Sequence, residues 1–442
     1  MLYKIKNIEA RSFSFDDYKI DIIRSTITFT YTIEFKFGIK KTFKDKLILK
    51  NIKPELWKNV PEDILERTLQ SLLLMIGINY WCIFPTNNIK IKNFSLTKEQ
   101  ALFWESLYLN GLGEFFYDMQ MDFHGLIKFP YDELFKPKLS SKINLPNRAL
   151  LLNGAGKDSI LSAETLKELN IPFEFFAFDP TPAHKKISKL VGVNTIKVRR
   201  HRDPYMDFFT STFAISNSYP SVSTFTFTAL LLAELLGYNS IVFSNERSAD
   251  FGNFNYLGLE VNHQWCKSSQ AEKMINDYIV KYITPEIKTN SLLRKYSELS
   301  IVKKFVNHKK YLPYVTSCNN YFWLPPIVQY LMPKAYWCRK CPKCVFLFAC
   351  FSAFLSKKEV IKIFGGNIYK DKTRLKLFKR ILGIEGTKPL DCVGEPPEMI
   401  LAMHLASINK EYKGEIAMNL FETYFKEDYN FEQISKDVFS EK

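Results

Sequence analysis

The sequence predicts an α/β protein: a doubly wound parallel sheet, with a strand-rich N-terminal region and a helical, cysteine-containing C-terminal region. Three observations carry this. Residues 149–243 alternate short apolar runs with helical patterns, the rhythm of βαβ units. Residues 25–37, Ser-Thr-Ile-Thr-Phe-Thr-Tyr-Thr-Ile-Glu-Phe-Lys-Phe, alternate polar with apolar side chains, the pattern of a half-buried antiparallel strand. From about Asn253 the patterning is mainly helical and a cysteine cluster appears. A chain of 442 residues is long for one domain, and these changes of rhythm divide it at 1–145, 146–310 and 311–442.

The elements follow in order. After the N-terminal strands, helical spacing covers Asp63 to Ile76 and Lys98 to Tyr108. Pro130, Pro137 and Pro146, with the Ser140-Ser141 pair, mark a linker. Strands are then expected at Ala149 to Leu152, Phe173 to Phe178, Thr195 to Val198 and Ser240 to Phe243. Helices are expected at Ser159 to Glu168, Ala183 to Leu190, Pro204 to Ala214 and Thr224 to Leu236. Doubly wound sheets bind ligands beyond the carboxyl ends of their strands, and Asn153, Asp179 and Asn245 each follow such an end.

Lys and Arg number 61 against 46 Asp and Glu, a net charge of +15. A basic surface suits a nucleotide, a nucleic acid or a polyacidic metabolite, although a Lys-, Ile-, Asn- and Phe-rich composition explains the same excess. The longest apolar run, Val345 to Leu355, is too short to span a bilayer and reads as a buried helix. Lys and Glu interrupt any apolar run near the N-terminus, so no signal peptide is expected and the cytoplasm is the expected compartment.

The loop Asn153-Gly154-Ala155-Gly156-Lys157-Asp158-Ser159 joins an apolar strand to a helix. Gly154 and Gly156 allow close backbone approach to a ligand. Asp158 and Ser159 open the helix, whose unpaired N–H groups and dipole face an anion. The spacing is not that of a Walker A loop. A glycine-containing turn without a ligand is the plainer reading.

Four further clusters carry candidate chemistry. Cys338, Cys341 and Cys344 form Cys-x2-Cys-x2-Cys, with Cys318 twenty residues upstream. Reduced thiols at this spacing can close a tetrahedral Zn2+ site. They also suit a four-iron, four-sulfur cluster, or can pack without metal. Glu246 and Arg247 follow the fourth strand, where they can bind magnesium and phosphate or form a surface ion pair. Asn262, His263, Gln264 and Lys267 concentrate hydrogen-bond donors, as candidate substrate ligands or as structural groups. Finally, Lys388, Cys392 and Glu395 place a cation, a thiol and a carboxylate in a glycine-punctuated turn, where a neighbouring cation can lower a thiol's pKa.

The 153–159 loop resembles the Ser-Gly-Gly-x-Asp-Ser loop of the PP-loop ATP pyrophosphatases, with Asn153 for the usual Ser and Ala155 for a Gly. The distal Cys and Cys-x2-Cys-x2-Cys are similar to those of the 7-cyano-7-deazaguanine synthases, another PP-loop family. Taken in order, seven motifs resemble the UDP-N-acetylmuramoyl-L-alanyl-L-glutamate epimerase family of peptidoglycan synthesis. They are Gly-x-Gly-Lys-Asp-Ser, Asn-Glu-Arg-Ser-Ala, Asn-His-Gln, Ser297-Glu298-Leu299, Ser317-Cys318-Asn319, Trp337-Cys-x-x-Cys-Pro-Lys-Cys344 and Lys388-Pro-x-x-Cys-Val-Gly-Glu395.

The resemblance implies an ATP- and Mg2+-dependent inversion of the terminal L-Glu of a UDP-muramyl dipeptide, through adenylation of its carboxylate. It implies that Asn153, Gly154, Gly156, Lys157 and Ser159 cradle phosphate, and that Asp158 binds magnesium. Glu246 and Arg247 would complete that site. Cys392 and Glu395 are then the expected proton-transfer pair, beside Lys388, and the N-terminal region is expected to help bind the sugar nucleotide. The four clustered cysteines are expected to support the fold. The competing expectations are another PP-loop adenylating enzyme, for tRNA thiolation or deazapurine nitrile synthesis, and a nucleotide-binding protein without turnover. No RNA-binding module is visible, so nucleic acid is not the expected partner.

Overall fold

Strand and helix alternate through most of the chain in the computed structural model, which describes residues 9–137, 140–322, 324–332, 336–425 and 429–441. The strands are β1 (Ala10–Asp21), β2 (Thr26–Phe35), β3 (Lys40–Leu49), β4 (Ile89–Ile91), β5 (Ala149–Leu152), β6 (Phe173–Phe178), β7 (Thr195–His201), β8 (Ser240–Phe243), β9 (Phe254–Tyr256), β10 (Leu259–Val261) and β11 (Lys288–Ser291). Nine of them form a large, parallel-dominated sheet in the order β11-β8-β5-β6-β7-β3-β2-β1-β4. The sheet is mixed: β1, β2 and β3 are antiparallel, and β3 pairs antiparallel with β7, Leu49 opposite Val198. Short turns join the first three strands, and such turns can connect only antiparallel neighbours.

The expected helices form at Lys157–Glu168, Pro182–Val191, Pro204–Thr212 and Ser221–Leu236. Their limits follow from local chemistry. Pro182 and Pro204 occupy first turns, where a missing N–H costs nothing, and Asp203 caps the backbone N–H of Tyr205. Gly192 and Gly237 end two of them in the left-handed region, at φ 84° and 77°. Beyond Asn253 the sequence suggests mainly helix, yet β9, β10 and β11 intervene. The β9–β10 hairpin turns through Leu257 and Gly258, both at positive φ, a tight-turn geometry that Leu-Gly does not advertise.

Two compact units interleave along the chain. The first comprises the described parts of Met1–Leu150, Ile196–Ile241 and Asn255–Asn290. Its core lies between the N-terminal strands and the Glu62–Trp81 helix, which also packs along Ser221–Leu236. A side chain at Gly77 would meet the Phe15 ring at 2.3 Å, so glycine lets that helix settle on the strands. Asp45 is fully buried and accepts from Arg200 at 2.8 Å and from the Tyr80 hydroxyl at 2.7 Å. Arg200 also donates to Asn79 at 2.8 Å, so β3, β7 and the helix share one buried polar network.

The second unit comprises Leu151–Thr195, Val242–Phe254 and the described part of Ser291–Lys442. Here the Lys157–Glu168 helix packs on Glu298–Phe305, which meets Pro342–Ser352, Pro396–Ile408 and Phe431–Phe439. Pro342–Ser352 is the helix foreshadowed by the apolar run from Val345, and all its side chains from Lys343 to Ser352 are buried. Among the described residues no helix is long and apolar enough to cross a membrane.

Candidate functional site

The loop after β5 turns sharply. Ala155 lies at φ 55°, in the left-handed region that favours glycine, and is fully buried. Asn153 holds the turn: its side-chain oxygen accepts the Ala155 N–H at 2.9 Å, and its amide donates to Ser188 at 3.2 Å. A side chain at Gly156 would come within 3.1 Å of the Ser317 hydroxyl. Gly156 caps the Lys157–Glu168 helix without a side-chain hydrogen bond to the first turn. The Ser159 hydroxyl donates to the Gly156 carbonyl at 3.1 Å. Backbone N–H groups therefore gather at a helix start, the arrangement that receives an anion.

Behind the loop lies a buried charge cluster. Lys157 donates to Asp158 at 2.5 Å and also to Glu298. Lys343 donates to the other oxygen of Glu298 at 2.9 Å. Burial alone would raise the Glu298 pKa, but Lys157 and Lys343 outweigh it and hold the carboxylate ionised to about 2. Burial pushes Asp158 up, against the pull of Lys157. Burial disfavours the charge on Lys343, yet Glu298, Cys392, Glu246 and Asp158 together raise its pKa well above the usual ammonium value. Glu246 is buried beside this cluster, and its Oε1 has no hydrogen-bond partner.

A third layer joins the 386–395 turn to this cluster. Lys388 pairs with Glu395, whose carboxyl is raised by burial despite that cation. Cys392 is half-buried, its N–H donates to Asp391 at 2.7 Å, and its thiolate form would stabilise the Lys343 charge. Glu398 accepts from the Ser248 hydroxyl, from Leu299 N–H at 2.9 Å and from Glu395 N–H at 3.0 Å. Burial pushes its pKa up to about 7. Gly394 permits this closeness, because a Cβ there would lie 2.6 Å from Phe346 and 2.7 Å from Glu398.

Arg247 is turned elsewhere. Its guanidinium donates to the Ser440 carbonyl at 2.9 Å, the Ser440 hydroxyl at 3.1 Å, and the carbonyls of Asp437 and Val438 at 3.0 and 3.2 Å. It pins the end of the last helix. In the first unit, the Asn262 side chain accepts the Gln264 N–H at 2.8 Å, Lys267 reaches the Gln264 side chain at 3.4 Å, and His263 meets Glu114 at 2.5 Å.

Cys318, Cys338, Cys341 and Cys344 converge, with their sulfur atoms all within 4.8 Å of one another. The residues that sequence reasoning left without a role are Glu298, Lys343, Ser248 and Glu398. Two had a signal: Glu298 centres the Ser-Glu-Leu motif, and Lys343 stands between two clustered cysteines.

Comparison with known proteins matches the chain to two domain models of one family. The MurL N-terminal domain model matches residues 4–292, and the MurL C-terminal domain model residues 314–433. A relative from Xanthomonas oryzae pv. oryzae is 31% identical over 357 residues, 80% of this chain and 78% of its own. One from a Micromonospora species is 29% identical over 403 residues, covering 91% and 88%. One from Salinispora tropica is 27% identical over 406 residues, covering 89% and 84%. All three are named UDP-N-acetyl-alpha-D-muramoyl-L-alanyl-L-glutamate epimerase. With two domain models accounting for nearly its whole length, the chain belongs to the MurL family of epimerases.

Proposed function

We propose that the chain inverts the terminal L-Glu of UDP-N-acetylmuramoyl-L-Ala-L-Glu to D-Glu, with ATP and Mg2+ used to activate the glutamate carboxylate. The relatives' shared name supports the substrate and the inversion. The observation that carries the activation step is the pairing of a glycine-lined helix start with an unsatisfied buried carboxylate oxygen on Glu246. A buried polar atom without a partner costs roughly 1–3 kcal/mol, so its persistence suits a ligand that completes it. Asp158 and Glu246 have the oxygen donors magnesium prefers. Gly154, Gly156 and the N–H groups of Lys157, Asp158 and Ser159 would hold the phosphates.

An ionised carboxylate resists loss of the neighbouring α-proton, because the carbanion would sit beside a negative charge. As co-substrate, ATP is attacked at its α-phosphorus by that carboxylate oxygen, the α–β phosphoanhydride bond breaks and pyrophosphate leaves, and the resulting acyl-AMP anhydride no longer carries the carboxylate charge. Glu298 holds Lys157 and Lys343 as fixed cations beside the site. Lys343 favours the thiolate of Cys392, which takes the α-proton. Glu395, whose carboxyl burial keeps protonated to higher pH, returns one to the opposite face. Water then cleaves the anhydride to release AMP and product. Phosphate binding rests on the loop and Lys157, since Arg247 is committed to the C-terminal helix.

Pyrophosphate exchange into ATP tests this. It should require the muramyl L-Ala-L-Glu dipeptide and magnesium. Exchange that proceeds with tRNA and not with the dipeptide would replace this reading by a tRNA-modifying one.

A further inference from the structure

The reaction outlined above makes no use of the four clustered cysteines. Their sulfurs lie within 4.8 Å of one another, and Cys338 and Cys344 are 3.7 Å apart. A disulfide needs about 2.05 Å, so this pair is not one. Four thiolates around one tetrahedral ion, at about 2.3 Å each, stand roughly 3.8 Å apart. A four-iron, four-sulfur cube is larger than a single ion and holds its cysteines farther apart. Backbone donors are aimed at the sulfurs: Lys340 and Cys341 N–H to Cys338, and Cys338 N–H to Cys318, each at 3.3 Å. Such donors stabilise thiolates, and a cation between the sulfurs would let all four ionise at this separation.

The geometry points to a closed four-thiolate Zn2+ site at Cys318, Cys338, Cys341 and Cys344 that positions Lys343 beside the phosphate loop. Lys343 stands between two of the ligands, in the first turn of the Pro342–Ser352 helix. Fixing Cys341 and Cys344 on one ion fixes that turn, and with it the reach of Lys343 to Glu298 at 2.9 Å. A third ligand, Cys318, follows Ser317, whose hydroxyl lies against Gly156 of the loop. Four protein ligands leave no open coordination position, so the metal itself takes no part in the chemistry. Lys343 is thus a residue placed by the metal; that part of the inference rests on the loop being the ATP site, whereas the metal site does not.

Elemental analysis of the full-length protein, purified without a metal-affinity step, should find one zinc per chain. Replacing zinc by Co2+ should give the intense visible bands and near-ultraviolet thiolate charge transfer of tetrahedral cobalt. Absence of stoichiometric zinc, or an iron–sulfur chromophore, would overturn the site. Cys318→Ser should lose the metal; if that variant does not fold, the cobalt spectrum of the unaltered protein still decides. Lys343→Met should retain one zinc while pyrophosphate exchange into ATP falls at least tenfold, with Lys343→Arg restoring part of it. Full exchange in a zinc-loaded Lys343→Met protein would refute the positioning role. Zinc with no exchange in any form of the protein would leave the metal site standing and overturn the ATP reading and, with it, the role given to Lys343.

Discussion

Lys343 and Lys157 occupy opposite oxygens of Glu298, so a single fully buried carboxylate holds two buried ammonium groups. The three residues come from distant parts of the chain, and none of them is stable there alone. A buried charge left unpaired costs roughly 3–5 kcal/mol.

Glu298→Gln should therefore destabilise the protein by about 3–5 kcal/mol in chemical denaturation and abolish ATP turnover. The sign of the pH effect follows from the lowered Glu298 pKa. Its stabilisation is fully present above the unfolded value, near 4.5, and is lost as pH falls toward about 2. Acid unfolding of the unaltered protein should steepen in that window, and Glu298→Gln should remove the added steepness.

Glu234 gives the opposite sign in the first unit. It is buried on the Ser221–Leu236 helix, bonded to Thr68 at 2.6 Å, and burial raises its pKa to about 8. The folded protein binds a proton there that the unfolded chain releases above about 4.5. Stability should fall by up to about 1.36 kcal/mol per pH unit between those values. Glu234→Gln should flatten melting temperature against pH across this range. A variant with an unchanged slope would show that Glu234 is ionised in the fold.

Asn153 was legible as the residue that opens the loop, but not its effect. Its side chain satisfies the Ala155 N–H and anchors to Ser188, both buried. Asn153→Ala should cost about 1–3 kcal/mol and weaken ATP binding. Asn153→Ser should recover part of each, because a hydroxyl can accept from Ala155 without spanning to Ser188.

The β5-to-β8 strands were readable because each is a short apolar run bounded by turn residues, and the turn at 153–159 was readable because glycine spacing is local. The pairing of β3 with β7 was not, since register between strands distant in sequence depends on tertiary packing rather than on composition. Glu298 and Lys343 escaped for the same reason. A lone Glu or Lys in a sequence reads as solvated, and only burial shows that each is the other's partner. Arg247 shows the converse: a cation at a strand end resembles a phosphate ligand until its donors are found on the carbonyls of Asp437, Val438 and Ser440.

Cys392→Ala separates proton transfer from activation. The variant should keep substrate-dependent AMP formation within a fewfold and lose exchange of the glutamate α-proton with solvent. Unchanged exchange would assign the base to another residue, while loss of AMP formation as well would place Cys392 in the activation step.

The most direct test follows the α-proton itself. The protein is incubated in heavy water with ATP, Mg2+ and UDP-N-acetylmuramoyl-L-Ala-L-Glu, and the glutamate is recovered for mass and chiral analysis. Inversion through an activated carboxylate predicts D-Glu carrying one deuterium at its α-carbon, with AMP formed alongside it and neither appearing without ATP. Inversion that proceeds without ATP, or AMP release with the α-hydrogen retained, would contradict it.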